Sequence, residues 1–217
     1  MKVVIIGAGP SLDKNLLDFK MRGGEFMDAV IIATDAALVK CLNMRIVPNY
    51  VATLEDYPDY KKFFDNEIAR KFSRHYSVFY SYKTSYDIKL LLKTMKVGLI
   101  LAHLDRQSDV ICNVGLFAYL IAAQHLKADK IYLIGMDHCY GENEHPNIKL
   151  DTQVARRSFF TTINPHLKKR MIMNPIFMLW REEFLRERMV NKNIRCINMT
   201  GWGVLFGRDI EWIPELI

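Results

Sequence analysis

Short apolar runs alternate along the chain with amphipathic segments of helical period. The apolar runs predict strands at residues 3–6, 29–33, 50–53, 77–81, 97–101 and 131–134. The segments between them predict helices at residues 12–22, 36–43, 60–71, 88–95 and 110–125. This alternation is typical of a parallel sheet that is covered by helices on both faces. We therefore predict an α/β protein with a mostly parallel sheet.

The pattern changes after residue 139. Residues 139–150 are polar and predict a loop, and helices are predicted at 151–160 and 175–190. The breaks between them are Asn164-Pro165 and Asn174-Pro175. Short strands are predicted at residues 194–197 and 204–206. We interpret residues 1–217 as a single domain with a helical insertion at about 140–192.

The charge of the chain is concentrated in one segment. The 217 residues carry a net charge of +6, and half of them are hydrophobic. Residues 156–195 hold ten Lys or Arg and three Asp or Glu. Such a segment fits an anionic partner, either nucleic acid or a nucleotide or phosphorylated substrate, and it equally fits a solvated helix face.

The apolar runs, the N-terminus and the cysteines indicate which cellular compartment to expect. The apolar runs are too short to span a membrane, and no signal peptide is visible at the N-terminus. The four cysteines (Cys41, Cys112, Cys139 and Cys196) are far apart and form no metal-binding pair. These features predict a reduced, cytoplasmic protein without a membrane span.

The turn after the first strand reads Gly7-Ala8-Gly9-Pro10-Ser11-Leu12. Gly7 and Gly9 allow a sharp turn and a close approach of a ligand, and Ser11 can cap the following helix. A helix N-terminus of this kind favours a phosphate. Leu12 stands where the dinucleotide fingerprint requires a third glycine, which weakens a dehydrogenase interpretation. The alternative is a tight strand–helix turn that binds nothing.

Small, polar or acidic residues follow several of the predicted strands or precede the long helix. Ligands of open α/β sheets bind beyond the carboxyl ends of the strands, so these residues are expected to converge. They are Gly7, Gly9, Pro10 and Ser11; Thr34 and Asp35; Thr53, Glu55 and Asp56; Ser108, Asp109, Asn113 and Gly115; and Gly135, Asp137 and His138. Taken alone, each has a structural alternative; Asp35, for example, can cap a helix. Together they suit a nucleotide, with Asp35, Asp56 and Asp137 as the candidate Mg²⁺ ligands.

Other functional classes lack their motifs. The chain contains no G-x-S-x-G and no G-x-x-x-x-G-K-[ST], which excludes the usual serine hydrolases and P-loop kinases. The spacing of histidine and cysteine offers no zinc site. The aromatic and basic residues at 76–86 could contact RNA. A core strand with edge tyrosines explains them better, so we expect no nucleic-acid partner.

Four groups of residues resemble a known family: 6–12; 33–38 with 48–56; 113–115 with 131–137; and 196–203. In this order they are similar to the 6-hydroxymethylpterin diphosphokinase MptE-like family. The resemblance covers most of residues 1–140 and returns near the C-terminus. The first and third groups also resemble bacterial sialyltransferases that use CMP-sugars.

The resemblance implies a Rossmann-like fold and a Mg²⁺-dependent transfer of diphosphate from ATP to a hydroxymethylpterin. On this model Asp35, Asp56 and Asp137 are the catalytic and metal-binding residues. The implied nucleotide-binding residues are Gly7, Ala8, Gly9, Pro10, Ser11, Thr34, Asn113, Gly115 and His138.

Two alternatives remain open. One is a glycosyltransferase that uses a CMP-linked or other nucleotide sugar, with His145 or His166 as the general base. The other is a nucleotide-binding module without catalysis. The expected partners are a nucleotide and a small-molecule acceptor, and a homo-oligomer is compatible with the sequence.

Overall fold

The computed structural model describes residues 1–105, 113–140 and 160–213. Its main sheet contains eight strands, and every neighbouring pair is parallel. The strands are β1 (Lys2–Ile6), β2 (Val30–Thr34), β3 (Tyr50–Thr53), β4 (Ser77–Tyr80), β5 (Gly98–Leu101), β6 (Lys130–Ile134), β9 (Arg195–Asn198) and β10 (Ile210–Trp212). A separate antiparallel hairpin is formed by β7 (Phe160–Asn164) and β8 (Lys169–Met173).

The strand order is β10-β9-β6-β1-β2-β3-β4-β5. The chain runs outward from β1 to β5 and then returns to place β6 on the other side of β1. This reversal creates a crevice beyond the carboxyl ends of β1 and β6, which is where open α/β sheets bind ligands.

The α-helices among the described residues are α1 (Leu12–Met21), α2 (Asp35–Asn43), α3 (Glu67–Lys71), α4 (Tyr86–Thr94), α5 (Val114–Leu120) and α6 (Pro175–Val190). Short 3₁₀ segments lie at Gly23–Phe26 and Pro58–Phe63, and α5 continues as a π-helical turn at Ile121–His125. In the part of the chain that the structure describes, no helix combines the length and the apolar character needed to cross a membrane.

Alternate residues of the strands supply the cores on the two faces of the sheet. Val3 and Ile5 of β1 pack in a core with buried residues of α5 and α6. Val4 and Ile6 pack in another core with buried residues of α1 and α2. Because both faces are covered, the strands between the two edge strands β5 and β10 are mostly buried, and the predicted α/β architecture with helices on both faces is confirmed.

Three elements differ from the sequence prediction. The helix predicted at 60–71 is divided into the 3₁₀ segment and α3, because the Asn66 side chain accepts a hydrogen bond from the Ala69 amide and starts a new helix. No strand occurs at 204–206; the last strand is β10, after Gly207 adopts a left-handed φ of 82°.

The third difference is the hairpin of β7 and β8 in the predicted insertion. The Asn164 side chain, which is fully buried, accepts hydrogen bonds from the His166 and Leu167 amides and stabilises the connection between the strands. The helix predicted at 110–125 begins at Val114. Residues 110–112 lie outside the described residues, and so do residues 151–159 of the helix predicted at 151–160; its last residue, Phe160, begins β7.

A buried arginine joins α6 to α5. Nη1 of Arg188 donates to the Tyr119 hydroxyl at 3.0 Å and to the Asn191 carbonyl oxygen at 2.7 Å. We expect Arg188→Ala to lower the free energy of unfolding by about 2–3 kcal/mol, because the buried Tyr119 hydroxyl and the partly buried Asn191 carbonyl oxygen both lose a charged donor. Chemical denaturation measures this loss. Arg186→Ala, at an exposed position of the same helix, is the control and should change stability by less than about 0.5 kcal/mol. Equal effects of the two substitutions would contradict the prediction.

Candidate active site

A pocket of about 470 Å³ lies beyond the carboxyl ends of β1, β2, β3, β4 and β6. Most of the residues predicted from their position after a strand line this pocket. These are Gly7, Ala8, Gly9, Thr34, Asp35, Glu55, Asp56, Asn113, Gly115, Gly135, Asp137 and His138. Pro10 and Ser11 do not line it, and Ser108 and Asp109 lie outside the described residues.

The glycine turn packs tightly against the end of β6. The Gly7 and Gly9 amides donate to the carbonyl oxygens of Ile134 and Gly135, both at 2.8 Å. A Cβ atom on Gly9 would stand 1.9 Å from Asp137 Oδ2. Glycine is therefore required where the turn after β1 packs against the segment after β6. The Gly7 and Gly9 amides already donate hydrogen bonds within the protein.

Asp137 is a buried carboxyl that contacts the start of α1. Its Oδ2 atom lies 2.9 Å from the Ser11 hydroxyl and accepts a longer contact of 3.4 Å from the Ser11 amide. Burial raises the pKa of Asp137 to about 7, although the hydrogen bonds from Ser11 act in the opposite direction. Ser11 therefore positions Asp137, and its hydroxyl does not cap α1.

Asp35 opens α2 with both of its oxygens engaged. Oδ1 accepts from the Ala36 amide at 2.7 Å, and Oδ2 accepts from the Thr53 hydroxyl at 2.6 Å. Burial raises the pKa of Asp35 to about 6, against the lowering effect of these hydrogen bonds. The bond to Thr53 links the end of β2 to the end of β3.

Glu55 follows β3 and is partly buried beside two other carboxylates. Burial is the main cause that raises its pKa to about 8, and repulsion from Asp35 and Asp56 adds to the increase. Glu55 in turn is the main cause of the raised pKa of Tyr60. Asp56 is exposed. These contacts create one acidic wall, defined as Asp35, Glu55 and Asp56.

The start of α5 contributes an amide to the pocket. Asn113 Oδ1 accepts from the Leu116 amide at 2.8 Å and caps the helix. Gly115 packs against the end of the Met136 side chain, which would have to move if a Cβ atom were added, since that atom would lie 2.6 Å from Met136 Cε. The helix therefore begins in close contact with the segment that carries Asp137.

The histidines proposed from the sequence have different surroundings. His138 is buried, has a left-handed φ of 50°, and its ring lies 6.4 Å from that of Trp180. His166 stacks on Trp212 at 5.2 Å and does not line the pocket, so the structure gives it no place as a general base there. His145 lies outside the described residues.

Several lining residues are absent from the sequence prediction: Leu54, Tyr60, Phe63, Ser81, Lys83, Val114, Met136, Phe177 and Trp180. Ser81 and Lys83 follow β4, so the rule that selected the other residues could have found them. Phe177 and Trp180 belong to α6, more than 35 residues beyond β6. No local signal connects that helix to the pocket.

Among residues 1–105, 113–140 and 160–213, no three His, Cys, Asp or Glu side chains form a group that could hold a metal ion. The set of Asp35, Asp56 and Asp137 is therefore not assembled as three ligands of one ion. A Mg²⁺ ion bound by fewer carboxylates together with substrate phosphates stays a prediction.

Comparison with known proteins identifies a matching family and a similar solved structure. The model of the 6-hydroxymethylpterin diphosphokinase MptE-like family matches residues 1–143. The solved structure of MAf glycosyltransferase from Magnetospirillum magneticum AMB-1 matches 98% of this chain with a TM-score of 0.70 and 18% identity. This chain spans 33% of the length of that chain, and the likeness shows a shared fold. No curated protein matches.

The packing around Gly9 leads to a stability prediction. We expect Gly9→Ala to lower the free energy of unfolding by about 1–3 kcal/mol, because the added methyl group displaces the Asp137 carboxyl. Thermal or urea unfolding measures the change. Gly23→Ala is the matched control, because a Cβ atom there meets nothing within 4 Å. A Gly9→Ala protein as stable as the control would contradict the packing role.

Proposed function

The chain belongs to the 6-hydroxymethylpterin diphosphokinase MptE-like family, and we propose that it transfers diphosphate from ATP to the hydroxymethyl group of a pterin-like alcohol. The family supports a nucleotide-dependent transferase, and the fold is compatible with one. The observation that carries the finer proposal is the pocket itself, in which an acidic wall and two pairs of aromatic rings meet at the carboxyl edge of the sheet.

The aromatic rings suit flat substrates. Tyr60 and Phe63 stack on each other with centroids 5.7 Å apart, and Phe177 lies 5.4 Å from Trp180. All four residues line the pocket. Aromatic faces bind planar heterocycles by stacking, and this reaction has two such substrates, adenine in ATP and the pterin ring.

The reaction balances without a further reactant. The hydroxymethyl oxygen forms a bond to the β-phosphorus of ATP, and the bond from that phosphorus to the α,β-bridging oxygen breaks. AMP leaves with the bridging oxygen, and the hydroxyl proton passes to a base. Such transfer depends mainly on positioning and on charge stabilisation.

We assign the base to Glu55. Both oxygens of Asp35 already accept hydrogen bonds, whereas Glu55 lines the pocket and is only partly buried. Its raised pKa of about 8 makes it a stronger base than an ordinary carboxylate once it is ionised. Asp35 then acts as a positioning residue, since its bond to Thr53 fixes the end of β3.

The acidic wall offers one exposed carboxylate, that of Asp56, to a divalent cation. Repulsion from Asp35 and Asp56 helps to raise the pKa of Glu55, and a bound cation would relieve this repulsion. We propose that Asp56, which is exposed at the wall, holds Mg²⁺ together with the donor phosphates and water. Mg²⁺ supplies charge neutralisation for the phosphates.

Glycosyl transfer from a nucleotide sugar is the second candidate. Two observations favour it: the Gly7 and Gly9 amides are engaged with main-chain oxygens, and the described residues contain no group of three metal ligands. A CMP-linked donor releases CMP, which carries a single phosphate group, and it therefore needs fewer amides and less metal-ion charge than the triphosphate of ATP does.

A ligand panel distinguishes the two reactions. We expect ATP to raise the melting temperature only with Mg²⁺, and ATP with 6-hydroxymethylpterin to give AMP and the pterin diphosphate. Thermal shift and mass spectrometry provide the measurements. Stabilisation by CMP without metal, with no AMP released from ATP, would instead support glycosyl transfer.

The assignment of Glu55 leads to a pH prediction. The pKa of Glu55 is raised to about 8 in the protein without metal, and a cation held by Asp56 would lower it, so kcat/KM for AMP release should increase with pH and level off at or below about pH 8. Glu55→Gln should lower kcat/KM by roughly 100-fold and remove this pH dependence.

Asp59→Asn is the control, because Asp59 is exposed in the 3₁₀ segment Pro58–Phe63 that follows Glu55, and it does not line the pocket. It should keep the rate and the pH profile of the unmodified chain. A Glu55→Gln protein that retains the rising limb would show that another group titrates.

A further inference from the structure

Three buried polar atoms at the pocket have no hydrogen-bond partner among the described residues. They are Thr34 Oγ1, Asn113 Nδ2 and Asp137 Oδ1. Their side chains belong to residues that are only 5%, 9% and 1% exposed, and all three residues line the pocket. Arg188 Nε and Trp212 Nε1 also lack partners among the described residues, and neither residue lines this pocket. The unmet bonds are therefore concentrated where a ligand would bind.

The orientation of two of these groups is fixed by their other contacts. Because Asn113 Oδ1 caps α5 by accepting from the Leu116 amide, the remaining atom of its side-chain amide is the donor Nδ2. Because Asp137 Oδ2 is held by Ser11, the remaining atom of its carboxyl is Oδ1. One hydrogen-bond donor and one carboxyl oxygen thus remain without partners in residues that line the same pocket.

Leaving buried polar atoms without hydrogen-bond partners lowers the stability of the folded protein. A buried polar group that makes no hydrogen bond loses its contact with water and gains nothing in return. Folded proteins retain few groups of this kind, and a binding site is one place where a ligand can supply the missing partner. The ligand that satisfies them must accept a hydrogen bond from Asn113 and offer a complementary group to Asp137.

The chemistry of these atoms selects a neutral part of the substrate. A phosphate would face the Asp137 carboxyl and be repelled when that carboxyl is ionised. A lactam, in which a ring carbonyl stands next to a ring N–H, presents an acceptor and a donor side by side. Pterin rings carry a lactam in the pyrimidine ring, away from the hydroxymethyl carbon.

We propose that Asn113 and Asp137 recognise the lactam edge of the acceptor ring. Asn113 Nδ2 donates to the ring carbonyl oxygen, Asp137 Oδ1 accepts from the ring N–H, and the Thr34 hydroxyl provides a third polar contact. This inference rests on the proposed function and deepens it, because it names the atoms that select a lactam over a 4-amino ring.

Asn113→Asp tests the inference with little change in shape. The aspartate keeps an oxygen to cap α5 but replaces the donor Nδ2 with an acceptor. The unmodified chain should bind 6-hydroxymethylpterin at least about tenfold more tightly than the 2,4-diamino analogue. The Asn113→Asp protein should bind the pterin about tenfold more weakly. It should bind the diamino analogue more tightly, because the 4-amino group of that analogue can donate a hydrogen bond to the new carboxylate. Quenching of ligand fluorescence measures all four affinities.

Two further variants keep the test decisive. Asn66→Asp changes the cap of α3 in the same way outside the pocket lining and should leave the preference unaltered. Asn113→Ser keeps a capping oxygen without adding charge and should weaken pterin binding without favouring the diamino analogue. It also covers the case in which Asn113→Asp fails to fold.

The possible failures are distinguishable. If the unmodified chain binds both rings equally, or if Asn113→Asp leaves the preference unchanged, the recognition of the lactam is wrong while diphosphate transfer, measured separately as AMP release, still stands. If the unmodified chain binds no pterin and releases no AMP, the proposed function and this inference both fail.

Discussion

The contact between the Asp137 carboxyl and the turn after β1 is the constraint on which the site depends. Ser11 holds Oδ2 of this carboxyl, and Gly9 leaves space for it. The main chain of Asp137 also accepts a hydrogen bond from the Val204 amide at 2.9 Å. Asp137 therefore joins the first turn of the chain to the end of β6 and to the C-terminal loop. Asn15 strengthens the same junction, because its side chain accepts from the Gly135 amide and donates to the Thr200 carbonyl oxygen.

This junction gives the pocket two chemically different regions. Near it, Asn113 and Asp137 offer fixed polar atoms in a buried setting, which suits a neutral ring. At the ends of β2 and β3, the acidic wall collects carboxylates that raise the pKa of Glu55, which suits proton transfer and a cation that carries phosphates. A transferase with a flat acceptor and a phosphorylated donor needs both regions in a single cavity.

Much of the site follows from a rule that can be applied to a sequence. Parallel strands end at one edge of the sheet, so Thr34 at the end of β2 and Asp137 after β6 were expected at the same edge once the strands were identified. The same rule applied to β4 would have added Lys83. The rule gives positions and not partners: it could not show that Gly9 accommodates Asp137, or that Thr53 binds Asp35, because these contacts depend on the order of the strands.

The sequence by itself determined the α/β class, the strands from β1 to β6 and most of the residues at the pocket. These features are encoded locally, in the length of the apolar runs and in the residues that follow them. Only the tertiary structure decided the hairpin of β7 and β8, the approach of Phe177 and Trp180 to the pocket, and the atoms of Asn113 and Asp137 that are left for a ligand. The physical reason is that each of these results from packing and hydrogen bonds between segments that are distant in the chain, and such contacts leave no periodic pattern in the sequence.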